Sequence, residues 1–588
     1  MYLSWLITLG FMGMTGIRFT IFNIIISSFV FGLGVDYIIL MMLGLIMDYK
    51  YGTKDIASCK ASVFISSVTT LFGVGALFFA RHPALNSIAL ISVVGIVAVV
   101  MISYIFQPLI AEWLFFARTR QGKFPLTARI VVKSFVTWGN IVLVAILQII
   151  AAFLIRMLFF LSREKKEYLF HKLFQLLCGA YIWVTFPRDR KYLDPHGEDF
   201  SKPAIIISNH QSLIETPAFL RLSPKILILT RDWVWKSPLF GPIARLAGFP
   251  NVDEGMDVLT DRLREKIARG FSILIFPEAH RSPDQHVQRF HRGAFYLAEK
   301  LRLDILPLVV FGTGDFLAKH DFWGKPNGIR MKVLGRVGPE NPRFGGNYST
   351  RTRQFRKFIR DEFHRLRSDE GTGHYYRRLL GLNYIYKGPV LEWYLKVKMK
   401  LAGNYEIYNS LVPREGSVLD IGCGYGLISF MLALTGPGRM IHGLDYDPEK
   451  IAVASNGFLK RDNLSFTCTD VMDYPMVQYT AFLLSDVLHY LPGDRQEELL
   501  NRCLDNLEPE GIILIRDADR VKGKKHLRTR FSEFFSTRFG FNKTADEDKH
   551  LYFTSVETIR KIAEKRGMRL DIIERSRRRS NVLMAIRK

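Results

Sequence analysis

Apolar residues follow two different patterns along the chain. Residues 3–17, 19–46, 61–80 and 85–114 are long apolar runs, with lengths compatible with crossing a hydrocarbon layer about 30 Å thick. After residue 187 the apolar runs are short and rich in β-branched residues, and they alternate with more polar stretches. This pattern predicts membrane-spanning helices followed by α/β domains that contain buried parallel strands.

Basic residues flank the long runs in a consistent way. One group separates the second run from the third and another follows the fourth, so two predicted spans lie between the groups. Because Lys and Arg collect on the cytoplasmic side of membrane proteins, both groups are predicted to be cytoplasmic. The two groups are Lys50, Lys54 and Lys60, then Arg118, Arg120, Lys123, Arg129 and Lys133.

A fifth apolar stretch, residues 134–161, has basic residues on both sides. A simple span would place one of these flanks outside, whereas a re-entrant or in-plane pair with residues 168–186 keeps both inside. We expect the second arrangement. It makes residues 118–186 a membrane-associated linker.

Composition supports a membrane protein. Hydrophobic residues make up 48% of the 588 positions, and the net charge is +25. No DNA- or RNA-binding signature accompanies that charge, so we expect no nucleic-acid partner. The cysteines are odd in number and scattered, without a Cys-x-x-Cys pair, and we expect neither a disulfide framework nor a metal site. They are Cys59, Cys178, Cys423, Cys468 and Cys503.

Polar side chains follow two short apolar runs in the middle of the chain. Residues 204–207 lead to His210 and Glu215, and residues 272–276 lead to Arg281. Open α/β sheets build their sites at such strand ends. On one helix, His210 and Glu215 would lie about 140° apart, so they meet only if His210 precedes the helix and Glu215 begins it. A carboxylate held there makes the imidazole a general base.

The guanidinium of Arg281 is suited to a phosphate or a carboxylate. Together with a general base, it indicates a hydroxyl on a phosphorylated acceptor that attacks an activated acyl group. The alternative is that His210 is a hydrogen-bonded buried histidine in a scaffold without activity.

These residues resemble the glycerolipid (lysophosphatidate) acyltransferases. The blocks that match are His-x-x-x-x-acid, Phe-Pro-Glu-x-x-Arg-Ser, an apolar strand ending in Pro307, and the segments 236–249 and 289–294. Glu215 stands where that family usually has Asp, and Ala279-His280 where it has Gly-Thr. The resemblance implies an acyl-CoA or acyl carrier protein as donor. It also implies that His210 and Glu215 are catalytic and that Glu278, Arg281 and Arg292 bind substrate.

A basic stretch, residues 351–367, is predicted to be an amphipathic helix. It either lies on anionic lipid or closes the preceding domain, and we favour the second. Residues 368–373 (SDEGTG) are predicted to be a linker.

The last third of the chain contains a glycine-rich turn. Residues 417–426 (SVLDIGCGYG) predict a strand, a turn and a helix, and residues 441–447 predict a second strand that ends in carboxylates. A dinucleotide site is the alternative, but the Asp-x-Gly-x-Gly-x-Gly spacing resembles class I S-adenosylmethionine methyltransferases. The resemblance implies a Rossmann-like fold and S-adenosyl-L-methionine as cofactor. The implied cofactor-binding residues are Asp420, Gly422, Gly424, Gly426, Asp445, Asp470 and Asp486.

The methyl acceptor is not identified by these motifs. His489 serves either as a base or as a capping and packing residue. Residues 521–548 are predicted to be an insertion that shapes the acceptor pocket.

The second apolar run contains Asp36 and Tyr37 within residues 32–37 (GLGVDY). An ionisable residue inside a membrane helix is a functional candidate. With residues 61–73 and 82–85, this segment resembles the second half of the MMPL-like branch of the RND exporters, which implies a proton relay. The alternative is that Asp36 lies near a helix end or bonds a neighbouring helix.

Four regions are therefore predicted. They are MMPL/RND-like helices (1–117), the membrane-associated linker (118–186), an α/β acyltransferase domain (187–370) and a class I methyltransferase domain (371–588). This order resembles bacterial trifunctional fusions of an exporter, an acyltransferase and a methyltransferase. We expect a multi-pass protein of the bacterial inner membrane with cytoplasmic enzyme domains, which acts on membrane lipid. We expect it to lack most of the exporter and to pair with a second copy or with a companion transporter half. The competing hypotheses are an exporter subunit with accessory domains, and domains that only bind lipid or acyl carrier.

Overall fold

The computed structural model describes residues 2–18, 20–401, 405–519, 551–575 and 581–588. The chain divides into two compact units, residues 1–126 together with 380–588, and residues 127–379. The predicted insertion at residues 521–548 lies outside the described residues.

The beginning of the chain is helical, as the apolar runs predict. A turn precedes Pro83, where the His82 side chain accepts a hydrogen bond from the Ala84 amide. π-Helical turns join the last three helices of this region, so that Pro83–Arg120 is one long helix. The helices are α1 (Tyr2–Thr15), α2 (Ile21–Tyr51), α3 (Ile56–Gly75), α4 (Pro83–Met101), α5 (Gln107–Ala111) and α6 (Ala117–Arg120).

Among the described residues, three helices are long and apolar enough to cross a membrane, judged by length and composition. They are Ile56–Phe79, Pro83–Arg120 and Ala128–Met157.

The unit formed by residues 127–379 is an α/β domain preceded by two long helices. Its sheet has the order β1-β6-β5-β2-β4-β3, and β5, β2, β4 and β3 run parallel. The strands are β1 (Arg190–Leu193), β2 (Ile205–Ser208), β3 (Ile226–Ile228), β4 (Ser272–Ile275), β5 (Ile305–Phe311) and β6 (Ile329–Val333). The first helices are α7 (Ala128–Met157), α8 (Arg163–Thr185), α9 (Glu215–Leu220), α10 (Asp232–Lys236), α11 (Phe240–Leu246) and α12 (Met256–Ala268). They are followed by α13 (Gly293–Lys300), α14 (Thr313–Phe316), α15 (Tyr348–Glu370) and α16 (Gly373–Leu382).

The helices α7 and α8 occupy the segment that was predicted to be a re-entrant or in-plane pair. α7 is a continuous helix of 30 residues, and α8 buries Phe170, Phe174 and Tyr181. Gln175 of α8 donates to the carbonyls of Arg221 and Leu222. Packing on the α/β domain therefore explains part of the apolar positions of α8, whereas Leu176 and Trp183 stay exposed. The membrane depth of α7 stays a prediction.

The basic amphipathic helix closes the domain core, which was the favoured alternative. α15 buries Phe355, Ile359 and Phe363 against the domain. The predicted linker at residues 368–373 is wrong in its first half, because α15 continues to Glu370. The Glu370 carboxylate is held by Arg330 at 3.1 Å, which fixes this end of the helix.

The predicted end of a strand at Pro307 is also wrong, since β5 continues to Phe311. Pro307 lies between the β6 ladder, which begins at Leu308, and the isolated bridge between Ile305 and Val337. Proline has no amide hydrogen to donate, and at Pro307 the pairing between β5 and β6 is interrupted. A proline is tolerated within a sheet at such a position.

The second α/β domain has a seven-stranded sheet of order β12-β13-β11-β10-β7-β8-β9, in which only β13 pairs antiparallel within the described strands. The strands are β7 (Glu415–Ile421), β8 (Gly438–Asp445), β9 (Leu464–Cys468), β10 (Tyr479–Ser485), β11 (Leu507–Ala518), β12 (Arg569–Arg575) and β13 (Asn581–Arg587). The helices are α17 (Pro389–Leu401), α18 (Tyr405–Leu411), α19 (Leu427–Thr435), α20 (Pro448–Ser455), α21 (Gly493–Asp505) and α22 (Val556–Lys565).

Candidate active sites

The carboxyl ends of three neighbouring strands meet at the first candidate site. β2 lies between β4 and β5, and Ile206 pairs with Leu274 on one side and with Leu306 on the other. The loops after these three strands are therefore brought together by the sheet. Asn209 ties two of them, because its side-chain amide both donates to and accepts from the backbone of Val310.

His210 and Glu215 lie in contact, in the arrangement that their spacing requires. His210 is in the turn after β2, Glu215 is the first residue of α9, and Nδ1 of His210 is 2.7 Å from Oε2 of Glu215. The His210 ring stacks on Phe276, with centroids 4.1 Å apart. The Glu215 side chain is fully buried, whereas 15% of the His210 side chain remains exposed. The carboxylate thus fixes one ring nitrogen, and the rest of the ring is left partly accessible.

Glu215 accepts further hydrogen bonds that stabilise its buried charge. The amides of Gln211 and Ser212 donate to it, and the hydroxyl of Thr313 donates at 2.5 Å. Thr313 begins α14, after β5, and is fully buried. The motifs did not indicate Thr313, because it is 98 residues away in sequence; the only signal is its place just past a strand end.

Glu278 was predicted to bind substrate, but in the structure both of its oxygens accept bonds from the protein backbone. The amides of His210 and Gln288 donate to them, each at 2.9 Å. Burial raises the pKa of Glu278 to about 8, and these two amides oppose the shift. Glu278 therefore ties the loop after β4 to the turn that carries His210.

Arg281 and Arg292 are the two cations that were predicted to bind substrate. Arg281 is partly exposed, and neither guanidinium has a hydrogen-bonding or ion-pairing partner among the residues that the structure describes. Partial burial lowers the pKa of Arg281, and the Glu215 charge opposes that shift. Ala279 has a φ of 60°, so the loop turns sharply just before Arg281. Arg292 is exposed at the start of α13.

The second candidate site extends along one edge of the other sheet. Because the strand order is β10-β7-β8-β9, the residues that follow these strands lie side by side. They are Asp486 after β10, the glycine turn after β7, Asp445 at the end of β8, and Asp470 after β9. The predicted cofactor residues are therefore assembled at adjacent strand ends.

Two glycines of the turn differ in what surrounds them. Both have positive φ, 67° at Gly422 and 56° at Gly424. A side chain at Gly422 would meet Val487 at 2.3 Å, so this position is restricted by packing. A Cβ at Gly424 would meet no atom within 4 Å. The backbone at Gly424 therefore faces open space, as a ligand that approaches the turn requires.

The two carboxylates beside the turn have different surroundings. Asp445 accepts hydrogen bonds from the amides of Gly424 and Asp447, at 2.8 and 3.0 Å. It thereby joins the turn to β8. Asp420 is buried and accepts a hydrogen bond from Ser429 of α19. Burial raises the pKa of Asp420 to about 6, and the Ser429 bond opposes the shift.

The outer two acids also make local contacts. Asp470 accepts a hydrogen bond from the Met472 amide. Asp486 has a φ of 58°, which is uncommon for a residue other than glycine, and it pairs with Arg516 at 2.5 Å. Burial alone would raise the pKa of Asp486, but the charges of Arg516, Lys398 and His489 and a hydrogen bond from Asn581 together lower it.

His489 lies beyond the same edge and is held by Asp517, a residue that the motifs did not indicate. Nδ1 of His489 is 2.6 Å from Asp517, and both side chains are 3% exposed. The His489 ring stacks on Phe553. Asp517 lies near the end of β11. The sequence could have indicated it only as a carboxylate that follows an apolar run.

Asp36 and Tyr37 point in different directions on α2. Tyr37 is buried in a cluster with Val63 and Ile96, and its hydroxyl lies 3.2 Å from that of Thr70. Asp36 is exposed and forms no hydrogen bond or ion pair with the part of the chain that the structure describes. The predicted relay residues are therefore not brought together with a further charged group in this unit. Across the described ranges, no three His, Cys, Asp or Glu side chains are grouped so that they could hold a metal ion.

Comparison with known sequences supports two kinds of domain. A family described as "Acyltransferase" matches residues 180–311, and a family described as "Methyltransferase domain" matches residues 418–511. A 1-acyl-sn-glycerol-3-phosphate acyltransferase of Cocos nucifera is 31% identical over 149 residues, 24% of this chain and 48% of the relative. The chain thus spans about half the length of that curated relative.

Solved structures show weaker likeness. The 1-acyl-sn-glycerophosphate acyltransferase of Thermotoga maritima is 18% identical with a TM-score of 0.35, over 40% of this chain and 97% of that one. Magnesium protoporphyrin IX methyltransferase from Synechocystis, solved with bound SAH, is 16% identical with a TM-score of 0.25, over 34% and 88%. From the sequence matches, the chain carries an acyltransferase domain that is similar to 1-acyl-sn-glycerol-3-phosphate acyltransferases, followed by a methyltransferase domain.

Proposed function

We propose that this chain is a membrane-bound enzyme that transfers an acyl group and, at a separate site, a methyl group. The observation that carries the proposal is the His210–Glu215 pair at the strand ends of a domain that matches acyltransferases. The acyl donor is a thioester of CoA or of an acyl carrier protein, and the acceptor is a lysophosphatidate-like hydroxyl lipid.

In this mechanism His210 accepts the proton of the acceptor hydroxyl through Nε2. The hydroxyl oxygen then forms a bond to the thioester carbonyl carbon, the carbon–sulfur bond breaks, and the leaving thiolate takes the proton from His210. Glu215 holds Nδ1–H and stabilises the imidazolium, as a carboxylate partner does for other histidine bases. Arg281 pairs with the phosphate of the acceptor.

The second activity requires S-adenosyl-L-methionine, which would supply a reactive methyl group. The residues present fit this cofactor, because the Gly424 backbone faces open space beside the Asp445 carboxylate. In the proposed complex, Asp445 accepts hydrogen bonds from the ribose and Asp470 lies on the adenine side. His489, oriented by Asp517, takes a proton from the methyl acceptor.

We place the chain in the bacterial inner membrane with both enzyme domains in the cytoplasm. Three apolar helices of sufficient length support the membrane location. Trp138 of α7 donates to the Phe322 carbonyl and stacks on its ring, 5.5 Å between centroids. Aromatic residues are common at the membrane surface, so this contact would hold the acyltransferase domain close to its lipid substrate.

The exporter resemblance of the first helices remains a second proposal. Asp36 is exposed on α2, and a charge left unpaired in lipid costs several kcal/mol on insertion scales, about 3 at the helix centre. We therefore expect a second copy or a companion chain to cover Asp36. A transport assay on this chain alone, with an Asp36→Asn control, distinguishes an exporter from a membrane anchor.

We predict that His210→Ala reduces acyl transfer by about 10²–10⁴-fold, the usual contribution of a general base. The measurement is transfer of a labelled acyl group from acyl-CoA to 1-acyl-glycerol 3-phosphate in membranes that contain the chain. His196→Ala, which changes an exposed histidine of the same domain, is the control. Full activity of the His210 variant contradicts the assignment. Glu215→Asp should be the mildest change at the site.

We predict that Thr313→Val lowers acyl transfer by about tenfold, because a buried carboxylate loses one donor, worth about 1–3 kcal/mol. Valine keeps the shape of threonine, so the domain should stay folded. The pH–rate profile distinguishes a positioning role from simple instability. If Glu215 is held less firmly, the part of the profile that reports the protonation of His210 should shift. If kcat and the profile both stay unchanged, Thr313 does not support the base.

The methyltransferase domain should bind S-adenosylhomocysteine and not NAD. Asp445→Asn removes the charge that the ribose hydroxyls are proposed to meet, and we expect at least tenfold weaker binding, since bonds to charged groups contribute about 1.5–3 kcal/mol. Calorimetry on the full chain in detergent measures this, with the exposed Asp462→Asn as control. Tight NAD binding refutes the cofactor assignment.

We expect His489→Asn to lower methyl transfer by about 10²–10⁴-fold while S-adenosylhomocysteine still binds. Asparagine keeps a hydrogen-bond donor for Asp517 but has no titratable group. The readout is label from methyl-tritiated cofactor in the lipid extract of membranes that contain the chain. Equal label in the variant and the wild type assigns His489 to packing instead.

A further inference from the structure

α17 presents an apolar stripe to the outside. Val390 and Trp393 are 61% and 62% exposed, and the partly buried Val397 lies one turn later, next to the exposed Lys396. The inner side chains Leu391 and Leu395 are buried. A helix that faced only water would carry polar residues on its outer side, so this stripe requires an apolar neighbour.

The segment just before α17 is fixed to the ends of the long N-terminal helices. The Tyr386 hydroxyl donates to the Leu126 carbonyl at 2.8 Å, and its ring lies 5.2 Å from that of Phe115. Glu392 accepts a hydrogen bond from the Tyr386 amide, which joins this anchor to the first turn of α17. α17 therefore starts at the end of a candidate membrane span, on the side predicted to be cytoplasmic.

A third face of α17 points toward the proposed cofactor site. The Tyr394 ring lies 6.1 Å from that of Tyr425, which belongs to the glycine turn. Lys398 acts electrostatically on the buried Asp420 and on Asp486. One short helix thus contacts the methyltransferase site on one side and exposes apolar residues on another.

A cavity of about 470 Å³ lies beside this anchor. Tyr49 is part of its wall and also packs in a cluster with Phe115 and Tyr386. Apolar side chains from the membrane helices form one part of the wall. Its charged residues are two basic and two acidic, Arg120, Lys460, Asp48 and Glu112, and Arg120 pairs with Glu112. Such a cavity is suited to an amphiphile with a polar head.

We propose that α17 is an interfacial lid through which the methyltransferase domain takes its acceptor directly from the bilayer. Val390 and Trp393 lie in the membrane surface, where tryptophan is favoured, and the acceptor is a lipid. It enters beside Tyr394 and Tyr425. This inference rests on the proposed methyl transfer and adds the class of its acceptor.

Photo-crosslinking of the full chain tests the location of the helix. p-Benzoylphenylalanine replaces Trp393, and the chain is reconstituted in vesicles of tritiated phosphatidylethanolamine and phosphatidylglycerol. The control places the same group at Met440, which is 57% exposed at the opposite end of β8. We expect at least about fivefold more lipid label at position 393, as for a helix lying in the interface. Equal labelling at the two positions overturns the lid.

A paired variant tests the function of the lid. Val390→Ser with Trp393→Ser should leave S-adenosylhomocysteine binding within about twofold, yet lower methyl label in the lipid extract by about tenfold or more. Unchanged lipid methylation overturns the inference. If the wild-type chain itself does not bind S-adenosylhomocysteine, the proposed methyl transfer is refuted. The crosslinking experiment then still decides whether the helix lies in the membrane surface.

Discussion

Glu215 is a fully buried carboxylate, and the loops of the acyltransferase domain are arranged around its charge. An ionised group in an apolar interior is stable only when donors surround it. The imidazole of His210, two backbone amides and the Thr313 hydroxyl supply them. These donors come from the ends of two strands, so the sheet must be in register before the charge is satisfied. The same requirement fixes His210 in one orientation, which is what a base needs.

The sequence predicted those parts of the fold that depend on local pattern. The strands before His210 and Arg281 were recognisable from short apolar runs, and the start of α9 at Glu215 followed from the spacing of two residues. Thr313 and Asp517 were missed, because a hydrogen bond between distant segments leaves no periodic trace. The strand end at Pro307 was taken from the family resemblance, and the break in pairing at Pro307 lets β5 continue past it.

Apolar content was a weaker guide to location than to burial. α8 and the stretch before it both contain many apolar residues, and α8 buries Phe170, Phe174 and Tyr181 within the α/β domain while Trp183 stays exposed. α15 carries many basic residues and also a row of aromatic side chains that face the core. Its apolar face is explained by packing on the domain, independently of its positive charge. α17 keeps Val390 and Trp393 exposed, beside a segment that is anchored to the N-terminal helices. The distinction depends on which face is covered, and that is decided by tertiary packing.

Both candidate sites contain a histidine in contact with a carboxylate, but the two pairs differ in how far they are exposed. His210 and Glu215 are five residues apart and share one turn, and part of the imidazole is exposed. His489 and Asp517 come from neighbouring strand ends, and Phe553 covers the ring, so only 3% of each side chain is exposed. In the proposed mechanism, an acceptor would reach His210 at the exposed part of its ring. At His489, the covering side chains would have to move before an acceptor arrives, and excluding water from that site would strengthen the interaction between the imidazolium and its carboxylate.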